Sequence, residues 1–136
     1  MVMFPWERLV TLHRNPPDDK ITRNKKIQLK YEEFINYIKE NNINLNDYIY
    51  KKYLNGLNIN FIENSFPYDI EDNCYHYVIW FDNEYFKKVT SSINENKIIN
   101  NIVRSKFKDN EYIYFENLTH NKSIAKIKHF HVFIKD

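Results

Sequence analysis

The chain has 136 residues, 43% of them hydrophobic and 17% aromatic, with a formal net charge of +2. That is one domain's length with ample core material, and so small a charge, with both signs interspersed, gives no electrostatic case for nucleic acid. A single cysteine, Cys74, excludes an internal disulfide and suits a reducing compartment, and no run approaches the roughly 18 apolar residues of a membrane span.

The opening MVMFPWERLV has neither the basic start nor the apolar run of a secretory signal, so the expected location is the cytoplasm. Pro5 suits a first helical turn, and Trp6, Leu9, Val10 and His13 follow at helical spacing, which predicts a helix over 5–13. Asn15-Pro16-Pro17-Asp18 breaks it. Ile27, Tyr31, Phe34, Ile35 and Ile38 form one apolar stripe, which predicts an amphipathic helix over 25–41. A third helix is expected over 45–54, capped by Asn44 and closed by Gly56, the only glycine, in the left-handed conformation.

The remainder reads as sheet with one helix. Strands are expected over 57–62, 74–81, 111–116 and 127–135, with a connection over 117–126. Residues 74–81 are apolar on both alternations, as in a central strand covered on both faces. Ser92 with Glu95 three residues on is a capping-box pattern, opening a helix that buries Ile98, Ile99, Ile102, Val103 and Phe107. The expected fold is therefore α+β: N-terminal helices, then a mainly antiparallel sheet with one long helix packed on it, the helices lying to one side. It forms a single domain, 1–136, with a helical part over 1–56 and sheet plus helix over 57–136.

The chemistry concentrates near the C-terminus. On a strand His129, His131 and Phe133 share one face, and Cys74, His76, Val78 and Trp80 share a face of the other central strand. In matching register, His76, His129 and His131 converge. Three readings follow. An imidazole aimed at phosphorus can attack it, with Asn117 and Ser123 in the preceding loop binding phosphate oxygens. Two histidines at i and i+2 plus a third can hold zinc, with Cys74 as a fourth ligand. Alternatively the histidines are packed, satisfied core residues. Lys122, Lys126 and Lys128 flank the histidine strand, and Arg23, Lys25 and Lys26 open the second helix, where they could hold phosphate or form a solvated face.

Asn117, Ser123, His129 and His131 resemble the loop and strand of the histidine-triad superfamily, with Phe133 at the third histidine position. That resemblance implies His131 as nucleophile and His129 as the group orienting it. A wider resemblance runs along the chain. Trp6-Glu7-Arg8-Leu9, Ile21-Thr22-Arg23, Tyr31, Tyr48-Ile49 and Leu54 come first. Asn64 to Glu71, with Pro67-Tyr68, and His76 to Trp80 follow, then Glu116-Asn117, Ser123-Ile124 and His129 to Val132. This order is similar to the N-acetylglucosamine-induced protein family, whose members occur in fungi, some bacteria and large DNA viruses. The Asn-, Ile- and Lys-rich composition suits an AT-rich genome, viral or cellular; a viral member would act in the host cytoplasm.

The resemblance implies a link to amino-sugar or sugar-nucleotide metabolism and a site drawn from Arg23, Tyr68, His76, Trp80, Asn117, Ser123, His129 and His131. The resulting expectation is a site for a phosphorylated small molecule, a nucleotide or sugar nucleotide, with Arg23 or Lys128 stabilising phosphoryl charge. Catalysis is left open. The alternatives are a non-catalytic binding module and a zinc-dependent hydrolase.

Overall fold

The computed structural model describes residues 3–136. Its centre is a sheet of four strands: β1 (Ile59–Glu63), β2 (Cys74–Phe81), β3 (Glu111–Phe115) and β4 (His129–Lys135). Their spatial order is β1-β2-β4-β3, and each neighbouring pair is antiparallel. The two strands with apolar side chains on both alternations, β2 and β4, take the two central places, where both faces must be covered. Their register sets Val78 opposite His131, Trp80 opposite His129 and His76 opposite Phe133.

One face is covered by two helices, α4 (Asn83–Thr90) and α5 (Glu95–Lys106). Ile98, Ile99 and Val103 of α5 pack on Ile79, Phe81, Phe130, Val132 and Ile134, with Phe86 and Val89 of α4 beside them. The other face carries α1 (Trp6–Val10), α2 (Lys25–Glu40) and α3 (Leu45–Ile49). Trp6 and Leu9 join Cys74, Ile113, Phe115 and Phe133 in one cluster, and Ile49, Leu54, Val78, Trp80 and Ile127 form a second. The α+β reading holds, and helices lie on both faces of the sheet instead of one.

Local chemistry explains most boundaries. Asn24 accepts a hydrogen bond from the Ile27 N–H at the start of α2, and Asn44 accepts one from the Asp47 N–H at the start of α3. Asn44→Ala is expected to cost about 1 kcal/mol in urea unfolding, the usual value of such a cap. The third helix does not run evenly to Leu54: after Ile49 the backbone widens into a π-helical turn, Tyr50–Leu54. It ends on Asn55 in the left-handed region, with Gly56 also at positive φ, so the stop uses both residues. The capping box expected at Ser92 is not formed. Ser92 lies in the turn closing α4, and Asn94 caps α5 by accepting from the Asn96 N–H. The helix α4 went unread; Asp82, which accepts from the Tyr85 N–H, and the spacing of Tyr85, Phe86 and Val89 were its signal.

The β1–β2 connection is tied back to the N-terminal part. Phe4 bonds through its backbone to Asp69 and Glu71, Asp69 bonds to Thr22, and the Glu71 carboxylate accepts from the Trp6 N–H. These ties seat Tyr68, which is 3% exposed, over the sheet face that carries the histidines. Among the described residues no helix is long and apolar enough to cross a membrane.

Candidate functional site

The register of β2 and β4 brings the imidazoles together. His76 Nε2 lies 2.8 Å from His131 Nδ1, and the rings of His129 and His131 meet edge to face with centroids 5.5 Å apart. All three are buried. His129 stacks on Trp80, and Trp80 stacks on Tyr53 from the π-helical turn, nearly parallel at 4°. Tyr68 lies against both His76 and His131.

Proton positions follow from the partners, because a neutral imidazole carries one N–H. The Tyr68 backbone N–H donates to His76 Nδ1 at 3.1 Å, so His76 keeps its proton on Nε2. That Nε2–H donates to His131 Nδ1, which leaves the His131 proton on its own Nε2. His131 Nε2 is 3.1 Å from Asn117 Nδ2, which is also 3.0 Å from the Tyr68 hydroxyl. Two N–H groups do not bond, so the Asn117 amide meets His131 with its oxygen, after a half-turn that exchanges the near-identical N and O positions. Asn64 Nδ2, 3.4 Å from His76 Nε2, likewise faces a donor and is not a partner, since Asn64 Oδ1 is held by the Phe66 N–H. His129 differs. Its Nδ1 is 2.8 Å from the Ile127 carbonyl, which only accepts, so the proton is on Nδ1 and the lone pair on Nε2.

Beside these rings lies a partly open cavity of about 120 Å³. Val78, Trp80, His129 and His131 line it from the sheet, and Ile49, Lys52 and Tyr53 from α3 and the π-helical turn. Arg23, Tyr31, Phe34, Lys20, Tyr68, Asn117 and Ser123 also line it. Arg23 donates through Nε to the Phe66 carbonyl and lies 4.1 Å above the Tyr31 ring. Lys20 Nζ bonds Ser123 Oγ at 3.0 Å. Neither cation has a carboxylate partner among the described residues, although Glu63 also lines the cavity.

A model of the DUF3605 family, described as a protein of unknown function, matches residues 5–135. The chain belongs to the DUF3605 family. It is 22% identical over 174 aligned positions to N-acetylglucosamine-induced protein 1 of Candida albicans, across 98% of this chain and 68% of that protein. In three dimensions it is similar to the crystal structure of HTC1, with a TM-score of 0.67 at 16% identity, covering 98% of this chain and 85% of that one. This last likeness is one of fold.

In this DUF3605 chain, burial holds the His76 and His131 pKa values well below the ordinary histidine value. The charges of Arg23 and Lys20 add to the effect at His76, and His76 and His129 add to it at His131. Burial also lowers His129, against the opposing pull of its Ile127 bond. All three are therefore neutral at pH 7. Burial, with the neighbouring Arg23 charge, brings Lys20 down to about 8. Burial raises Tyr68, which keeps its phenolic proton.

Of the residues singled out in the sequence, Arg23, Tyr68, Trp80, Asn117, Ser123, His129 and His131 border the cavity, and His76 sits against His131. Lys128 stands apart. Its ammonium is paired with Glu116 at 2.9 Å, next to the Lys122–Glu116 pair, and lies over Phe86 and Phe130 on the other side of the sheet. Cys74 packs with Trp6 and Phe133, away from the cavity, and no three His, Cys, Asp or Glu among the described residues are placed to hold a metal ion. Lys20 was missed, because nothing in a loop of the Pro-Pro-Asp-Asp-Lys kind ties it to Ser123, 103 residues on.

Proposed function

We propose that the cavity binds a phosphorylated small molecule of the nucleotide or sugar-nucleotide class, the step from which any hydrolysis or transfer would start. The observation that carries this reading is the pair Lys20 and Arg23, two half-buried cations on one cavity wall without an ion-pair partner. Desolvated positive charge is unfavourable unless something compensates it, and an anionic ligand does so. Ser123, whose oxygen accepts from Lys20, adds a neutral hydroxyl donor beside it. The size is informative too: a cavity of about 150 Å³ takes one benzene ring, so about 120 Å³ suits one ring or phosphoryl group at a time, with the rest of a larger ligand at the open mouth. The Candida albicans relative is named for induction by an amino sugar, which agrees with a phosphorylated sugar as the bound group.

A non-catalytic binding module is the second reading, favoured by one observation: every ring nitrogen of His76 and His131 has a protein partner. A thermal-shift screen over nucleotides and sugar nucleotides tests binding; a ligand at 100 times its Kd adds about 2.7 kcal/mol. Lys20→Met should weaken the responding ligand at least about tenfold. A screen in which no phosphorylated compound shifts the protein, or a Lys20→Met variant that responds like the wild type, would remove the anion site. Turnover of the responding compound, followed by release of phosphate or nucleotide, separates the enzyme from the module.

A further inference from the structure

We infer that His129 is the specificity-determining acceptor of the site, and that its Nε2 takes a hydrogen bond from a hydroxyl or N–H of the ligand, which makes the ligand a sugar phosphate and not a bare anion. This rests on the anion site proposed above and adds the second half of the ligand. The argument is one of proton inventory. Lys20 and Arg23 present charged donors and Ser123 a hydroxyl, whereas the Asn117 oxygen takes both the His131 N–H and the Tyr68 O–H. All three ring protons are spent inside the protein, but His129 alone among the three imidazoles keeps a ring nitrogen, Nε2, with no protein partner, because its proton sits on Nδ1 against the Ile127 carbonyl.

Its Nε2 has no protein partner, yet no polar side-chain atom among the described residues is both fully buried and unpaired. The Nε2 lone pair therefore opens on the cavity that His129 lines. Such a lone pair repels phosphate oxygens and attracts O–H or N–H. The stack on Trp80 fixes the ring plane, so the acceptor keeps one direction. His76 acts only through His131: its bond to the Tyr68 backbone fixes both tautomers and keeps His131 a donor. The arrangement thus has a charged side for phosphate and a neutral acceptor for the sugar. It also assigns the lone pair of the site to His129 and not to His131, where the histidine-triad resemblance puts the nucleophile.

Calorimetric titration with methyl phosphate, glucose 6-phosphate and ribose 5-phosphate tests this. Methyl phosphate reads the anion site alone. At least one sugar phosphate should bind the wild type about tenfold more tightly than methyl phosphate. In His129→Phe, which keeps an aromatic ring on Trp80, that advantage should vanish while methyl phosphate affinity stays within about twofold. Methyl phosphate binding with no sugar advantage, or an advantage that survives in His129→Phe, overturns the inference and leaves the anion site standing. Absence of binding by all three phosphates overturns the inference, and if the nucleotide and sugar-nucleotide screen is silent as well, the anion site falls with it. Imidazole nitrogen NMR on the wild type needs no variant and no ligand. It should find the Nδ1–H form at His129 and the Nε2–H form at His76 and His131; an Nε2–H form at His129 overturns the assignment.

Discussion

His76→Ala should lower the unfolding free energy by about 4 kcal/mol in urea titration, among the largest single losses available in this chain. Two costs add. The ring is 2% exposed and touches Tyr68, His131 and Phe133, the last with centroids 4.5 Å apart and planes within 20°. Removing it leaves a hole between the two central strands, and large-to-alanine changes at such places cost about 2–5 kcal/mol. The change also strips a partner from the Tyr68 N–H and from His131 Nδ1, each a buried polar group whose desolvation goes uncompensated at about 1–3 kcal/mol. His76→Phe separates the costs, because a phenyl ring fills the volume and accepts neither bond; it should lose about half as much. A loss below about 1 kcal/mol for His76→Ala would mean that the ring does not join the strands as described.

The same residue shows what the sequence could tell and what it could not. The alternation of β2 and β4 put His76 on one strand face and His129 with His131 on another, and in matching register those faces coincide. What alternation cannot fix is register, since a slip of two residues keeps every side chain on its face and moves His76 away from His131. Helix placement was legible where a single stripe dominates, as in α2 and α5, and illegible where several short signals compete. Ser92 and Asn94 both suit a cap, and the choice depends on where α4 ends, which follows from its packing on Phe81 and Phe130.

The site divides in the same way. Its histidine wall came from strand periodicity, and its Asn117 and Ser123 edge from family resemblance. The cationic wall is assembled from a loop residue, Lys20, and a residue preceding the α2 cap, Arg23, and the 64–70 loop is tied to this segment through Arg23 to Phe66 and Asp69 to Thr22. Lys128 illustrates the converse error. Its neighbour on the strand is a site histidine, but adjacent residues on a strand face opposite ways, and Glu116 holds it on the far side.

The three neutral imidazoles should make the fold acid-sensitive in a defined window. Each has its folded pKa below the unfolded value of about 6.5. Below that pH the unfolded chain takes up protons that the folded chain refuses, so stability falls as pH falls and is regained as pH rises towards 7. Each histidine contributes a slope of at most about 1.4 kcal/mol per pH unit, and three together at most about 4. Urea midpoints measured from pH 7 to pH 5 should drop steeply. Glu116 cannot produce this drop: burial pushes its pKa up, but the bonds to Lys122 and Lys128 prevail and bring it below the ordinary carboxylate value, so its own contribution is lost only in stronger acid.

Lys20 acts at the other end. Its folded pKa of about 8 lies below the unfolded value, so stability should rise slightly between about pH 8 and 10. A bound phosphate favours the charged ammonium, so phosphate affinity should weaken over the same interval. The two ends are therefore separable: Lys20→Met should flatten the alkaline change and leave most of the acid limb, because burial, not the Lys20 charge, is the main cause of the His76 and His131 shifts. A midpoint that is level from pH 7 to pH 5 would show that the imidazoles exchange protons freely with solvent, and the bonding order from Tyr68 through His76 to His131 would then be wrong.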